Sequence, residues 1–585
     1  MTIFNILTLI GGLALLLFGM DLMGSNLEKL SGGKLEGVLE KMTDNRLKGV
    51  LLGAGVTAII QSSGAVTVMA VGFVNSSIMT LKQVIGIIMG ANIGTTATAW
   101  LLSLTGIEGS NTFVNLLKPT SFSPVLAFIG AILLMFTKSE KKKNIGTILL
   151  GFAVIMFGMD MMSGAVEPLK DVPAFTSILT KFSNPLIGIV AGFVLTTVLQ
   201  SSSASVGILQ AMTATGTISV ASAFPIILGQ NIGSCTTVLL SSIGTNKNAK
   251  RTAYFHLTFN IVGCVLAMIL FYGINAIIGL PFFDEIIGPS QVAIIHSVFN
   301  IFATVVLFPF ANQLEKLMMV LVKDGPESEV VEEKTLVEER FLRSPSFALD
   351  KVKERCDEMA LLAKSNISMC LDFLKVYSKA KDEKIKANEK ELDAFEDELE
   401  TYLVRISSLD LNTVDSMRLN KYSHAIGNFE RMGDYGVNIL KSKRKMHHDK
   451  IHFTEEANRE LEIMGRAVKE IIENSTKAFI NDDIQLAMTV EPLEQVIDNL
   501  KVTLRQKHSK RMESGECSVE NGMIFFDIIN SFERIADHCS NLAVCIIELS
   551  QGSYQTHSYL KGIKNSNNKT FMEEFESYLT KYSIK

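Results

Sequence analysis

QSSGAV at Gln61–Val66 returns as QSSSAS at Gln200–Ser205, each time inside an apolar stretch long enough to enter a bilayer. An unpaired polar group is costly in hydrocarbon, so a glutamine and a run of serines placed there twice must find partners in protein or in a ligand. The surrounding sequence repeats with them. FGMDLM (Phe18–Met23) matches FGMDMM (Phe157–Met162), and GANIGTTAT (Gly90–Thr98) matches GQNIGSCTT (Gly229–Thr237). The offsets agree without a gap, since 158 − 19, 200 − 61 and 231 − 92 are all 139. Three motifs in one register define a duplication.

The 585 residues are 48% hydrophobic and 20% charged, an average over two unlike parts. Apolar runs of helical length follow one another over residues 1–322, and a charged segment at 323–343 leads into amphipathic sequence at 344–550 and a tail at 551–585. The reading is all-α: a polytopic membrane domain followed by a soluble helical domain. A net charge of −5 without a basic tract gives nucleic acid no purchase. The seven cysteines form neither a CxxC pair nor a disulfide framework, which suits a reducing cytosol. Asn5–Met23 lacks a basic leader and reads as a retained span.

Repeat one covers about 4–137, with spans expected near 4–23, 84–104 and 122–137. The segment 49–77 is broken by Gln-Ser-Ser-Gly and reads as a re-entrant helical hairpin. Repeat two covers about 144–278, with spans near 144–163, 220–243 and 253–278 and a hairpin at 187–217; an extra span follows at 291–311. Three crossings per repeat make the second enter from the opposite side, so the repeats are expected to be inverted. With the N-terminus outside, lysine and arginine concentrate on the cytoplasmic side, where the C-terminal domain then also lies.

The core of this plan carries no formal charge, with no Asp, Glu, Lys or Arg over 49–81, 83–107 or 182–246. A broken helix supplies free N–H groups at the start of its second half and free C=O groups at the end of its first. The N–H groups with Ser62, Ser63, Ser201, Ser202 and Ser203 can receive an oxyanion. The C=O groups with Gln61, Gln200 and hydroxyl oxygens can receive a hard cation such as sodium. Each ion lowers the electrostatic penalty of the other, which is a physical basis for symport. Asn92 with Thr95 and Thr96, and Asn231 with Ser234, are placed to join this site. HLTFN (His256–Asn260) and HSVFN (His296–Asn300) put His and Asn on one helix face, suited to interhelical hydrogen bonds, proton coupling or ligand contact. Gly53, Gly55, Gly188 and Gly192 are expected to serve close helix packing.

A second duplication lies in the charged half. NFERMGDYGVNI (Asn428–Ile439) aligns with SFERIADHCSNL (Ser531–Leu542) at an offset of 103, since 533 − 430 and 537 − 434 agree. LDAFEDEL (Leu392–Leu399) aligns with LEQVIDNL (Leu493–Leu500). The unit is a three-helix bundle present twice. Glu430 with Asp434 and Glu533 with Asp537 share helix faces, as do Asp393 with Asp397 and Glu494 with Asp498, and facing carboxylates are how bundles assemble metal sites. A solvated acidic face is the alternative.

The duplicated QSS hairpins, the NIG repeat and the HxxFN segments resemble the sodium/phosphate cotransporter family, the bacterial relatives of type II sodium-dependent phosphate transporters, over roughly residues 1–320. The tandem ER-x-x-D units resemble the PhoU family. The first resemblance implies sodium-coupled symport of inorganic phosphate across the cell membrane, with Gln61, Ser62, Ser63, Asn92, Gln200, Ser201, Ser202, Ser203 and Asn231 at or near the site. The second implies a metal-binding regulatory domain attached to the transporter, with a divalent or iron-type metal. The lipid bilayer is a partner of the membrane part, while a homodimer and a cytosolic phosphate-signalling partner stay open, since oligomeric state does not follow from the sequence. QSSG in place of QSSS leaves position 64 without a side-chain ligand, and Gln230 and Cys235 interrupt the second NIG segment. A phosphate exporter, a carrier for another oxyanion and a non-transporting phosphate sensor remain alternatives. The sequence contains no Walker A motif and no signature of a nucleophilic enzyme.

Overall fold

Apolar helix runs up to each QSS motif and stops there. The computed structural model describes residues 3–31, 45–76, 78–106, 119–172, 184–323, 338–550 and 569–584. Helix α1 (Ile3–Ser31) precedes α2 (Arg46–Ile60) and α3 (Ser63–Asn75), which flank the first motif. Then come α4 (Leu81–Gly94), α5 (Thr96–Ser103) and α6 (Pro119–Phe136). The order repeats as α7 (Glu140–Val166), α8 (Pro185–Leu199), α9 (Ser202–Met212), α10 (Val220–Gly233), α11 (Cys235–Ser241) and α12 (Lys247–Ile278). Helices α13 (Pro289–Leu307) and α14 (Ala311–Leu321) complete the apolar part. Among the described residues, six helical stretches are long and apolar enough to cross a membrane.

Lipid provides no hydrophobic drive between helices, so glycine is used to bring backbones together. A methyl group on Gly12 would overlap the Gly158 carbonyl and one on Gly19 the Gly151 carbonyl, so α1 and α7 run antiparallel. In repeat numbering Gly12 corresponds to Gly151 and Gly19 to Gly158. Each glycine therefore meets the counterpart of the other. Gly53 lies on the Ile87 carbonyl and its counterpart Gly192 on the Ile226 carbonyl; Gly90 and Gly229 do the same on Val50 and Ile189. Helix α2 is thus pressed on α4 as α8 is on α10. Gly188 is buried as expected. Gly55 departs from the expectation, since a Cβ there would meet nothing within 4 Å; it lines open space instead of a helix contact.

The repeats interlock. Helix α9 packs on α5, with the fully buried Gln210 donating Nε2–H bonds to the Ala99 carbonyl at 2.9 Å and the Pro289 carbonyl at 3.0 Å. Helix α3 packs on α11 and α12, and the Asn246 N–H donates to Asn75 Oδ1 at 2.8 Å. Residues 338–347, partly within the segment read from sequence as linker, also lie on α3. Ser76 Oγ donates to Glu338 at 2.6 Å, Arg340 Nε donates to the Ser241 carbonyl at 2.8 Å, and Phe341 and Phe347 pack on Phe73 with ring centroids at 5.7 and 5.2 Å.

The chain divides into two units between Phe347 and Ala348. The second is built of α15 (Pro345–Lys375, which begins just before the division), α16 (Lys379–Ser407) and α17 (Thr413–His448), then α18 (Glu455–Asn481), the short α19 (Ile484–Met488), α20 (Val490–Glu513) and α21 (Val519–Ser550), with α22 (Lys569–Lys581) at the end. Apolar residues at three and four spacing form its core, where Phe429 meets Phe479 edge-on at 5.2 Å and Ile426, Ile471 and Phe532 are buried. The expected all-helical class, a membrane-type unit followed by paired three-helix groups, is what the chain adopts.

Candidate functional site

Both glutamines end their helices in the left-handed region, Gln61 at φ 63°, ψ 21° and Gln200 at φ 51°, ψ 24°. An L-residue other than glycine pays about 1 kcal/mol for this conformation. The conformation recurs at the same point of both repeats. The next residues, Ser62 and Ser201, are extended and cap the following half-helix, each Oγ accepting an N–H bond at 3.2 Å from Ala65 or Ala204. Their O–H groups remain available to donate. In α3 the N–H groups of Ser63 and Gly64, and in α9 those of Ser202 and Ser203, precede the first carbonyl a helix can offer them. Each tip therefore presents two backbone N–H groups and at least one hydroxyl.

The tips differ in their amides. Gln61 Nε2 donates to the Ala58 carbonyl at 3.2 Å, and its Oε1 accepts from Thr98 Oγ1 at 3.2 Å. Gln200 is exposed and has no such bond among the described residues. A Cβ at Gly64 would meet nothing within 4 Å, so the first tip opens onto free space where the second carries Ser203. Among the described residues no hydrogen bond joins one tip to the other.

The NIG segments carry a one-residue irregularity at Thr95 and Ser234, whose backbones stay right-handed helical and whose N–H groups still bond the Ala91 and Gln230 carbonyls. Thr95 Oγ1 donates to the Ala91 carbonyl at 3.0 Å, Thr96 Oγ1 to Ile93 at 2.7 Å and Ser234 Oγ to Asn231 at 2.7 Å. Such back-bonding uses the hydroxyl hydrogens and leaves oxygen lone pairs for a cation. Asn92 and Asn231 are 3% and 5% exposed. Asn92 Oδ1 lies 3.3 Å from His256 Nε2, whereas Asn231 Nδ2 donates to the Ile227 carbonyl at 2.9 Å. The departures at Gln230 and Cys235 serve packing: Gln230 Nε2 donates to the Ser205 carbonyl at 2.9 Å, and Cys235 Sγ lies 3.6 Å from the His256 carbonyl.

Sequence reasoning passed over Thr57, Thr196 and Thr98. Thr57 and Thr196 are repeat counterparts, both fully buried, and neither hydroxyl has a partner among the described residues. Their methyl sides lie under Gly94 and Gly233 of the NIG motifs. The 139-residue repeat pairs them and is the signal that would have found them.

In the second unit the repeats have diverged. Around Glu430 acidic neighbours outweigh one arginine: burial first, then Asp434, Glu396 and Asp393, raise its carboxyl to about 7 against the opposing effect of Arg431, and Asp393 is raised by burial and by Asp434 and Asp397. Around Glu533 the charges are mixed. Lys501 Nζ pairs with Glu533 Oε2 at 3.0 Å, Arg534 Nη1 pairs with Asp537 Oδ2 at 3.1 Å, and Gln495 Nε2 donates to Glu494 Oε2 at 3.0 Å. Among the described residues no three His, Cys, Asp or Glu side chains converge as metal ligands. The expected equivalence of Glu430, Asp434, Asp393 and Asp397 with Glu533, Asp537, Glu494 and Asp498 therefore holds for sequence position and not for environment. Lys501 is the cation added in the second repeat, since Arg534 has its counterpart in Arg431.

A duplicated apolar unit with six helical stretches long enough to span a bilayer among the described residues, followed by a doubled three-helix unit, has the make-up of a multi-pass membrane protein, and the comparisons supply its class. A family model described as Na+/Pi-cotransporter matches residues 15–164 and 170–282, and one described as PhoU domain matches 356–442 and 461–546. The chain belongs to the Na+/Pi-cotransporter family and carries a PhoU domain. It is 30% identical over 323 residues to the uncharacterized protein YqeW of Bacillus subtilis, covering 54% of this chain and 99% of that one. It is 21% identical over 557 residues to YjbB of Salmonella typhimurium, whose name proposes inorganic phosphate export, covering 93% and 98%. Sodium-dependent phosphate transport protein 2B of Homo sapiens is 34% identical over 112 residues, covering 19% and 16%.

Proposed function

We propose that the chain is a sodium-coupled symporter of inorganic phosphate in the cell membrane, with its PhoU domain in the cytosol adjusting the rate. The observation that carries this reading is the pair of left-handed glutamines, each followed by a serine-capped half-helix with unsatisfied N–H groups. Backbone N–H groups and hydroxyls suit the phosphate oxygens, and glutamine oxygens, helix-end carbonyls and the lone pairs of Thr95, Thr96 and Ser234 suit sodium. In a site without formal charge neither ion is compensated alone. Held together, each reduces the desolvation penalty of the other, which couples their movement.

The antiparallel packing of α1 on α7, and the insertion of each hairpin's second half against the other repeat's NIG segment, support inverted repeats around one shared centre. Alternating access then follows from movement of the hairpins against the α4–α5 and α10–α11 segments. The name of the human relative supports sodium coupling. The 93% span shared with YjbB favours outward phosphate movement as a second reading.

Radiolabelled phosphate uptake into proteoliposomes tests this. An inward sodium gradient should drive accumulation that collapses when sodium is equal on both sides, and reversing the gradient should drive efflux. Phosphate binding without sodium-driven accumulation would remove the symport reading.

A further inference from the structure

Asn92 and Asn231 occupy equivalent positions, yet their amides are held in opposite senses. Asn92 Nδ2 has no partner among the described residues, while Oδ1 lies 3.3 Å from His256 Nε2 on α12. Nδ1 of His256 is also without a partner, and the residue is 1% exposed. Two hydrogen placements fit. In one, Nε2–H donates to Asn92 Oδ1, leaving an imidazole lone pair unmet and the Asn92 amide N–H groups free. In the other, Asn92 donates to Nε2, and a buried Nδ1–H is orphaned. The second needs the amide turned over, with Nδ2 where Oδ1 stands; because Oδ1 is the atom that faces Nε2, the first arrangement is the one this geometry makes. Burial confines the imidazole, and on the next turn Asn260 Nδ2 donates to the His256 carbonyl at 2.9 Å and lies 3.3 Å from Cys235 Sγ.

Asn231 needs no such partner. Its Nδ2 donates to the Ile227 carbonyl of its own helix, which turns Oδ1 away from that carbonyl. We infer that His256 is a positioning residue that aims the Asn92 amide N–H at a phosphate oxygen, while Asn231 presents its Oδ1 to a coupling cation. The repeats are then alike in fold and opposite in ligand sense at this pair. The inference rests on the phosphate and sodium reading above and adds a role for a histidine outside both duplicated motifs.

The test compares His256→Phe, His256→Gln, Asn92→Asp and Asn231→Asp. Loss of one oriented donor to a charged ligand should raise the KM for phosphate about 10-fold in His256→Phe at saturating sodium, with sodium half-saturation at saturating phosphate within about twofold of wild type. His256→Gln, whose side-chain N–H can reach Asn92 Oδ1, should recover most of the loss. Sodium binding without phosphate can be followed by the emission of Trp100, the single tryptophan, which lies on α5 and donates to Ser297 Oγ at 2.9 Å. Asn92→Asp should abolish phosphate binding and leave this sodium response in place, and Asn231→Asp should retain or tighten it. Equal impairment of His256→Phe and His256→Gln, or an unchanged phosphate KM in both, would overturn the inference while leaving the transporter reading intact. If wild-type vesicles show no sodium-driven uptake, the functional reading fails, and equilibrium phosphate binding should still rank His256→Gln above His256→Phe; the reverse order or no difference overturns the positioning role.

Discussion

Replacing Gln61 or Gln200 with glycine separates the function of the tips from their stability. Glycine relieves a left-handed backbone penalty of about 1 kcal/mol and adds about 0.5–1 kcal/mol of unfolded-chain entropy. At Gln61 the change also removes the bond from Thr98, worth about 0.6 kcal/mol on average inside a membrane protein. The balance is a destabilisation below about 1 kcal/mol for Gln61→Gly and close to zero for Gln200→Gly, whose exposed amide bonds no described residue. Transport should fall much further, by at least about tenfold, the loss of one ligand to an ion. Thermal unfolding of the full chain in detergent, paired with sodium-driven phosphate uptake, measures both. A variant that unfolds readily would make the left-handed glutamine a folding device, and one that transports at the wild-type rate would show that the amide is not a ligand.

Gly64→Ser should be accepted without measurable loss of stability, because its Cβ meets open space, and should shift sodium or phosphate half-saturation by supplying the hydroxyl that Ser203 provides in the other repeat; unchanged kinetics would place position 64 outside the site. Gly53→Ala and Gly192→Ala should each lower stability by about 1–3 kcal/mol, since a methyl group would overlap the Ile87 or Ile226 carbonyl, whereas Gly55→Ala should not. With its carboxyl raised to about 7 from 4.5, Glu430 binds a proton in the folded chain that the unfolded chain has released. Its contribution therefore falls as pH climbs from about 4.5 to 7 and is lowest above that. The unfolding midpoint should drop from pH 5.5 to 8, and Glu430→Gln should flatten the drop; an identical pH profile in the variant would contradict the acidic cluster.

The hairpin tips were legible because Gln-Ser-Ser is unmistakable in an apolar run and the 139-residue repeat supplied a second instance. The glycine contacts were legible for the same reason at Gly53 and Gly192, but not at Gly55, where composition alone cannot say which helix face meets a neighbour. Asn-Ile-Gly-Thr and Asn-Ile-Gly-Ser read as continuing apolar helix, and the helical path does continue through Thr95 and Ser234, over Leu81–Gly106 and Val220–Ser241. Gly94 and Gly233 are explained only by the threonines packed beneath them. The spacing of His256 and Asn260 signalled a shared face, but the partner, Asn92, lies 164 residues away and is set by tertiary packing. The carboxylates show the same limit. Local spacing paired Glu533 with Asp537, and nothing local revealed that Lys501 on the preceding helix would reach Glu533.

The central claim is that two uncharged helix breaks hold phosphate and sodium jointly, and mutual dependence of the two affinities tests it most directly. Equilibrium phosphate binding to the purified full chain, measured in sodium and in potassium at equal ionic strength, should be at least about tenfold tighter in sodium, with phosphate tightening sodium binding by the same factor. Equal phosphate affinity in the two salts would contradict the account.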